Sequence, residues 1–88
     1  MFKYTPQLSI SHWLDEIIDE ISENEDAQYQ DFEEIFDDLE DIFESDMETW
    51  NLSHLHKRAY HAMMQDLYIN KGYLIESLPK IQNLRDLL

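Results

Sequence analysis

Cysteine is absent from this 88-residue chain, glycine occurs once and proline twice. Without cysteine there can be neither a disulfide framework nor a thiolate metal site, which is consistent with a reducing compartment. No stretch approaches the run of about 18 apolar residues that a transmembrane helix needs, and the N-terminus lacks the continuous apolar core of a signal peptide. We therefore expect a soluble cytoplasmic protein with no membrane association.

Positive charge is absent from residues 15–48, which hold seventeen of the twenty acidic residues and no Lys or Arg. The rest of the chain holds three acids and all six basic residues, so the net charge of −14 comes from this one stretch, called here the acidic segment. A hydrophobic content of 43% lies well above the range in which high net charge produces disorder. A chain of this length builds one small core, so residues 1–88 are predicted to be a single acidic helical domain.

Apolar residues recur at helical spacing along the chain, and no segment shows the alternation typical of a strand. The first set has the i, i+3, i+4, i+7 spacing of one helix face: Ile10, Trp13, Leu14, Ile17, Ile18 and Ile21. The same spacing, interrupted by polar breaks, predicts helices at about 10–23, 27–45, 52–70 and 74–88. The predicted fold is all-α, a small antiparallel bundle of three to four helices.

Several residues predict where these helices begin and end. Residues 1–9 are expected to be irregular, with Ser9 or Ser11 capping the first helix, and Asn51 or Ser53 is expected to cap the third. The only glycine, Gly72, is expected to mark the sharpest turn after the third helix. Ser77 and Pro79 predict a fresh helix start or a kink in the last segment.

The acidic faces of the first two helices carry charge of one sign only. A solvated helix face is the simplest explanation, but such faces normally mix signs because Glu and Lys at i, i+4 attract. Here eight acid pairs stand at i, i+4: 15 with 19, 16 with 20, 19 with 23, 33 with 37, 34 with 38, 37 with 41, 40 with 44 and 44 with 48. They cost on the order of 2–4 kcal/mol at low salt, against a domain stability of about 5–15 kcal/mol. Because the repulsion lowers the stability of the fold, the charge is expected to serve a function.

The spacing of the charges suggests the use. The acidic segment places one charge per roughly 3 Å of helix, and a DNA strand presents one phosphate per roughly 3.4 Å. A helix pair with this spacing fits a groove lined by Lys and Arg. The predicted partner-binding residues are Asp15, Glu16, Asp19, Glu20, Glu23, Glu33, Glu34, Asp37, Asp38, Glu40, Asp41 and Glu44.

In charge density, size and lack of catalytic motifs, the acidic segment resembles the small acidic DNA-mimic inhibitors, including many phage anti-CRISPR and anti-restriction proteins. The resemblance carries over no residue-specific roles. It implies an inhibitor that occupies the positively charged nucleic-acid site of a basic partner, either a nucleic-acid-binding protein or a nuclease.

Two other functions fit the same charge pattern. An immunity protein or antitoxin would neutralise a basic nuclease toxin by steered association, with aromatic anchors for which Trp50, Tyr29 and Tyr4 are candidates. An acidic adaptor or chaperone would bind a basic protein, or form a homodimer through surplus apolar surface. The residues available for that surface are Met63, Met64, Leu84, Leu87 and Leu88, which are more often core in a small domain.

Catalytic, metal and cofactor sites are not predicted. His54, His56 and His61 lie close in sequence but lack the spacing of a His-Glu-x-x-His zinc site. No phosphate-binding glycine loop or nucleophile motif occurs, so we expect no enzyme. The basic residues are too few and scattered for direct nucleic-acid binding and are expected to neutralise the inner edges of the acidic helices; they are Lys57, Arg58, Lys71, Lys80 and Arg85.

Overall fold

Four α-helices make up most of the computed structural model, which describes the backbone of residues 6–88 and the side chains of residues 9–88. They are α1 (Pro6–Glu23), α2 (Glu33–Ser45), α3 (His54–Ile69) and α4 (Leu78–Leu87). Short 3-10 helices at Tyr29–Phe32 and Leu74–Ser77 lead into α2 and α4. The described residues contain no strand, and the all-α prediction is confirmed.

One hydrophobic core is shared by all four helices, and α4 packs against both α1 and α3. Each helix buries the face that its apolar spacing predicts. The largest side chains that are almost fully buried are Ile10, Leu14, Ile17, Ile21, Phe36, Leu39, Phe43, Met63, Leu67, Leu74, Ile81 and Leu84. The Met63, Met64 and Leu84 side chains are therefore core and not a free dimerisation surface, while Leu87 and Leu88 are partly buried against it.

Helix α1 already includes residues 6–9, which we expected to be irregular. Proline is well placed in the first turn of a helix, because its fixed φ suits the helix and its missing N–H would have had no partner there. Ser9 and Ser11 consequently lie inside α1 and do not cap it. The rest of the predicted irregular lead-in, residues 1–5, lies outside the described part of the chain.

Helix α2 begins later than its predicted start at residue 27. The Asp31 carboxylate accepts a hydrogen bond from the Gln28 backbone N–H (2.9 Å), which fixes the 3-10 turn before the helix. Two backbone hydrogen bonds tie residues 27–29 to residues 71–74: Tyr29 N–H to Lys71 O (2.9 Å) and Leu74 N–H to Ala27 O (3.2 Å). Ala27 is thus drawn into a contact between loops instead of a helix.

Helix α3 is capped by Ser53, as predicted, since the Ser53 hydroxyl accepts from the His56 backbone N–H (3.4 Å). The left-handed backbone in this part of the molecule is at Asn51, with φ of 54°, and the φ of Gly72 is not positive. The loop after α3 turns instead through a hydrogen bond from Tyr73 N–H to Asn70 O (2.9 Å). The expectation that Gly72 would mark the sharpest turn rested on a backbone freedom that this loop does not use.

Helix α4 makes the fresh start that Ser77 and Pro79 predicted, with Pro79 in its first turn. Ser77 is fully buried, and its hydroxyl accepts a hydrogen bond from the Asn70 side-chain amide (3.2 Å). This contact fixes the end of α3 against the beginning of α4. Among the described helices, none has the length and apolar character that crossing a bilayer would require.

Candidate functional site

The predicted partner-binding residues lie on the outer faces of α1 and α2, opposite the core. Eleven of the twelve side chains are exposed and Asp15 is half-buried. The exposed ones are Glu16, Asp19, Glu20, Glu23, Glu33, Glu34, Asp37, Asp38, Glu40, Asp41 and Glu44. At about 100° of rotation per residue, the seven acids of α2 cover an arc of about 160° on that helix. Burial of the apolar face is therefore sufficient to place these charges on the outside of the two helices.

An open groove of about 670 Å³ runs between α1 and the entry to α2. On one side it is lined by four carboxylates of α1, and Asp31 contributes a fifth from the 3-10 turn. Phe32 and Ile35 provide its apolar part. The four residues of α1 are Glu16, Asp19, Glu20 and Glu23. We call this feature the α1–α2 groove, and it unites predicted residues of α1 with Asp31, which the sequence prediction omitted.

The carboxylates of α2 point to different neighbours. Glu33, Glu34 and Asp37 line a second open groove of about 490 Å³ together with Asp31. Glu40 and Glu44 face α3 and line a smaller pocket of about 320 Å³. Asp38 and Asp41 are exposed and line none of these three features. The predicted residues thus form a broad anionic surface whose parts adjoin different neighbours.

Neutralisation of the acidic segment is limited to one arginine in the described part of the chain. Arg85 of α4 donates to both carboxylate oxygens of Asp15, with distances of 2.7 Å from Nε and 3.4 Å from Nη2. The hydrogen bond that Arg85 donates to Asp15 raises the pKa of Arg85 above its ordinary value. Histidines accompany two more carboxylates, His12 near Glu16 (3.5 Å) and His61 near Glu44 (3.0 Å). No other carboxylate of the acidic segment has a described Lys or Arg within 4 Å.

The other basic residues form no close ion pair with the acidic helices, so the expectation of direct neutralisation was right for Arg85 alone. Lys57 acts only through its nearby charge: after the hydrogen bond from His61, that charge helps to lower the pKa of Glu44. Lys57, Arg58 and Lys80 form no ion pair with any described residue. Lys71 lies over the rings of Tyr29 (5.4 Å) and Tyr68 (4.9 Å) in cation–π contacts. The physical reason is the packing order, because α4 lies beside α1 and brings only Arg85 within reach of an acid.

The ends of the helices add to the cost of the charge. Glu20 and Glu23 lie in the last turn of α1, where the helix dipole is negative, and that turn contains no basic residue. Each acid at such a position is unfavourable by about 0.3–1 kcal/mol at low salt. At Glu44, near the end of α2, a hydrogen bond from His61 lowers the pKa of the carboxyl, so this acid stays ionised. Among the carboxylates of the α1–α2 groove, Glu16 alone has a described histidine within 4 Å.

Aromatic side chains proposed as anchors prove to be packing residues where they are described. Trp50 is half-buried and packs against Trp13 with ring centroids 5.8 Å apart. Tyr29 is half-buried between Phe36 (4.7 Å) and Tyr68 (6.1 Å). Burial, with nearby negative charge from Asp37 and Glu33, raises the pKa of Tyr29 to about 12. The third candidate, Tyr4, lies outside the described residues.

Exposed apolar side chains occur instead at the end of α3 and in the next loop, and sequence reasoning missed them. Ile69 is 80% exposed, Tyr73 65% and Tyr68 56%. The available signal was their position outside the apolar stripe that runs through Ala59, Met63 and Leu67. They adjoin the anionic surface through Tyr68, which also lines the pocket facing α3.

The histidines of α3 have structural partners of different kinds. Nδ1 of His56 accepts from the Ser53 backbone N–H (3.0 Å), which assigns the proton to Nε2. That Nε2–H donates to the Leu87 carbonyl (2.8 Å) and joins the start of α3 to the end of α4. His61 bonds to Glu44, and His54 is exposed. Within residues 9–88, no three His, Asp or Glu side chains converge in a way that holds a metal ion.

Comparison with protein-family models, curated proteins and solved structures finds no significant match to this chain.

Proposed function

We propose that this chain is an inhibitor that binds the positively charged nucleic-acid site of a partner protein and excludes nucleic acid from it. The observation that carries the proposal is the unneutralised charge: of the seventeen carboxylates in the acidic segment, Asp15 alone has a described Lys or Arg within 4 Å. We place this action in the cytoplasm, where a chain without cysteine is at no disadvantage.

Association with a basic groove would relieve the repulsion within this surface. Seven of the eight i, i+4 acid pairs lie within α1 and α2, and the eighth extends beyond the end of α2 at Ser45. Lys and Arg side chains of a partner would replace the counterions that condense around such a surface, as they do on DNA. The same field accelerates association by steering. Binding would thus offset a cost that the isolated fold carries.

The dimensions of the molecule agree with occupation of a duplex-binding groove. Its longest axis is 39 Å, close to one turn of B-DNA at about 34–36 Å. Along the α1–α2 groove, Glu16 and Glu20 stand one helical turn apart, which places their Cβ atoms about 5–6 Å from each other. Repeated carboxylates on a rigid helix present charge at fixed positions, as a phosphate backbone does.

The test is competition in a defined complex. An affinity-tagged chain would be used to isolate its partner from the source cell, and the purified pair would then be titrated with duplex DNA and with salt. Duplex DNA is expected to displace the chain, and the binding constant should fall steeply as salt rises. A partner that binds duplex DNA and this chain at the same time would overturn the proposal.

A matched pair of variants separates the groove from net charge. Glu20→Gln with Glu23→Gln removes two charges from the α1–α2 groove, and Glu76→Gln with Asp86→Asn removes two exposed charges elsewhere. We expect the first variant to weaken the complex by about tenfold or more and the second by about twofold or less. Equal loss in both variants would mean that net charge, and not this surface, controls binding.

Neutralisation of a nuclease toxin is the second candidate function, and one observation favours it. The exposed Tyr68, Ile69 and Tyr73 side chains beside the anionic surface are of the type that anchors specific protein interfaces. An immunity protein would bind a single nuclease, with aromatic anchors supplying more of the affinity than the charges of the α1–α2 groove. Substitution of Tyr68 and Tyr73 by Ala would then weaken the complex more than the groove variant does.

A further inference from the structure

The pocket between α2 and α3 combines negative charge with an aromatic and apolar wall. Glu40 and Glu44 stand one turn apart at its edge, and Tyr60, Met64 and Tyr68 of α3 form much of its lining. His61 and Gln65 complete the lining. Its volume of about 320 Å³ is at the lower end for ligand pockets, about 300–1,000 Å³. The space suits one long side chain better than a larger molecule.

The Tyr60 hydroxyl is a polar group at this pocket that has no hydrogen-bond partner among the described residues. Tyr60 is only 3% exposed, and its ring is fixed by stacking on Phe43 with centroids 4.4 Å apart. The hydroxyl makes no hydrogen bond to any described residue. Every wholly buried polar side-chain atom in the described part of the chain, by contrast, has a hydrogen-bond partner. The hydroxyl is therefore not wholly buried, and Tyr60 is one of the residues that line the pocket. A buried tyrosine normally finds a partner for this group.

The charges around Tyr60 agree with this placement. Burial, followed by the nearby carboxylates of Glu40 and Glu44, raises the pKa of Tyr60 above its ordinary value. The neutral phenol can accept a hydrogen bond from a cationic group that also reaches the two carboxylates. Of these, Glu44 uses one oxygen for His61 and Glu40 has no described partner.

An arginine side chain matches these groups better than a lysine does. Its planar guanidinium has five N–H donors, which suit two carboxylates and a phenol oxygen, and its methylene stem packs on apolar surface. Lysine brings a compact ammonium with fewer directed donors. This chain itself places a cation on the neighbouring ring, since Lys71 Nζ lies 4.9 Å from the centre of Tyr68.

We infer that the pocket lined by Glu40, Glu44, Tyr60, Met64 and Tyr68 is a subsite for one arginine side chain of the protein partner. The inference rests on the proposed function, since it takes the occupant from a basic partner. The pocket would let a mimic of a phosphate backbone select partners that place an arginine at this position. An arginine seated there would contact carboxylates and an aromatic wall, which phosphates alone do not provide.

The test uses the isolated protein and needs no partner. N-acetyl-L-arginine amide is titrated into the isotopically labelled chain at low salt, and amide shifts are followed by NMR. Saturable shifts are expected at Tyr60, Met64 and Tyr68, with weaker binding of N-acetyl-L-lysine amide and none of the neutral citrulline analogue. Shifts spread evenly over α1 and α2, or equal binding of arginine and lysine, would overturn the subsite.

Variants fix the location. Glu40→Gln with Glu44→Gln is expected to weaken arginine binding by about tenfold, and Asp38→Asn with Asp41→Asn, the same charge change on the same helix, by about twofold or less. Tyr60→Phe should weaken binding severalfold without loss of stability, because the hydroxyl has no partner within the fold. Equal losses in the two charge variants would refute the subsite and leave the proposed function standing. Arginine binding that persists while DNA fails to displace the partner would refute the function alone.

Discussion

The acidic half of the molecule, α1 through α2, and the mixed half, α3 through α4, bury apolar faces of the same kind and expose very different charges. Residues 54–88 carry five basic and three acidic residues, whereas the acidic segment carries seventeen acids and no Lys or Arg. Both halves contribute fully buried side chains to one core. Folding therefore explains the buried faces equally well in both halves, and it does not explain the one-sided charge of the first.

The two halves are joined by contacts that mostly avoid charge. Phe43 of α2 stacks on Tyr60 of α3 at 4.4 Å with nearly parallel rings. Backbone hydrogen bonds connect the loop at Ala27 to the loop at Leu74. Among the described residues, the ionic links between the two halves are the Asp15–Arg85 pair and the His61–Glu44 hydrogen bond. Packing therefore holds the acidic surface in place, and most of its carboxylates are not neutralised by the other half of the molecule.

The largest expected effect is on stability, from loss of the Phe43–Tyr60 stacking that joins the two halves. Phe43→Ala removes a fully buried ring, so the free energy of unfolding should fall by about 3–5 kcal/mol. Urea denaturation followed by circular dichroism measures the change. Ile69→Ala, at a side chain that is 80% exposed, is the control and should change stability by about 0.5 kcal/mol or less.

Neutralising the charge of α2 should increase stability. Replacing Asp37, Asp38 and Asp41 with Asn and Glu40 with Gln removes four repulsive i, i+4 pairs, so stability should rise by about 1–2 kcal/mol at low salt. The gain should shrink near 1 M salt, where the Debye length is about 3 Å. Glu76→Gln with Asp86→Asn, in the mixed half, should not raise stability. A quadruple variant that is less stable would mean that these carboxylates support the fold.

A smaller effect is expected from the ionic link between α1 and α4. Asp15→Asn and Arg85→Met should each lower the melting temperature slightly, and the double variant should lose less than the sum of the two. Both side chains are more than two-fifths exposed (41% and 45%), so solvent screens the pair. Thermal unfolding at low and high salt would measure the coupling. No coupling at low salt would contradict the hydrogen-bond geometry.

The narrowest effect is confined to alkaline pH. Tyr29 keeps its proton in the folded chain up to a pKa of about 12, while a tyrosine in the unfolded chain has 10.0. Between these values the unfolded chain binds fewer protons, so stability that is present below pH 10 is lost as the pH rises towards 12. Tyr29→Phe should remove part of this decline, measured by denaturation across that range. If every tyrosine side chain lost its proton at the ordinary pKa, the result would contradict the burial of Tyr29.

Sequence reasoning found the four helices because their apolar spacing is a local property that burial preserves. It failed where contacts distant in sequence take over. Tyr29 donates to the Lys71 carbonyl and Leu74 donates to the Ala27 carbonyl, and α2 begins only at Glu33. It also predicted the exposed position of the acids, since a helix that buries its apolar face must expose the other. The spacing of residues along the sequence predicts neither the α1–α2 groove nor the pocket between α2 and α3.

The sequence by itself determined that this protein is helical, that it has one core, and that its negative charge is concentrated on the outer faces of two helices. Helical periodicity and the separation of apolar from charged side chains are sufficient for that. Only the tertiary structure decided that Arg85 neutralises Asp15, that α1 and the entry to α2 enclose a groove, and that Glu40 and Glu44 meet Tyr60. These relations depend on how helices pack, which brings together residues up to 70 positions apart.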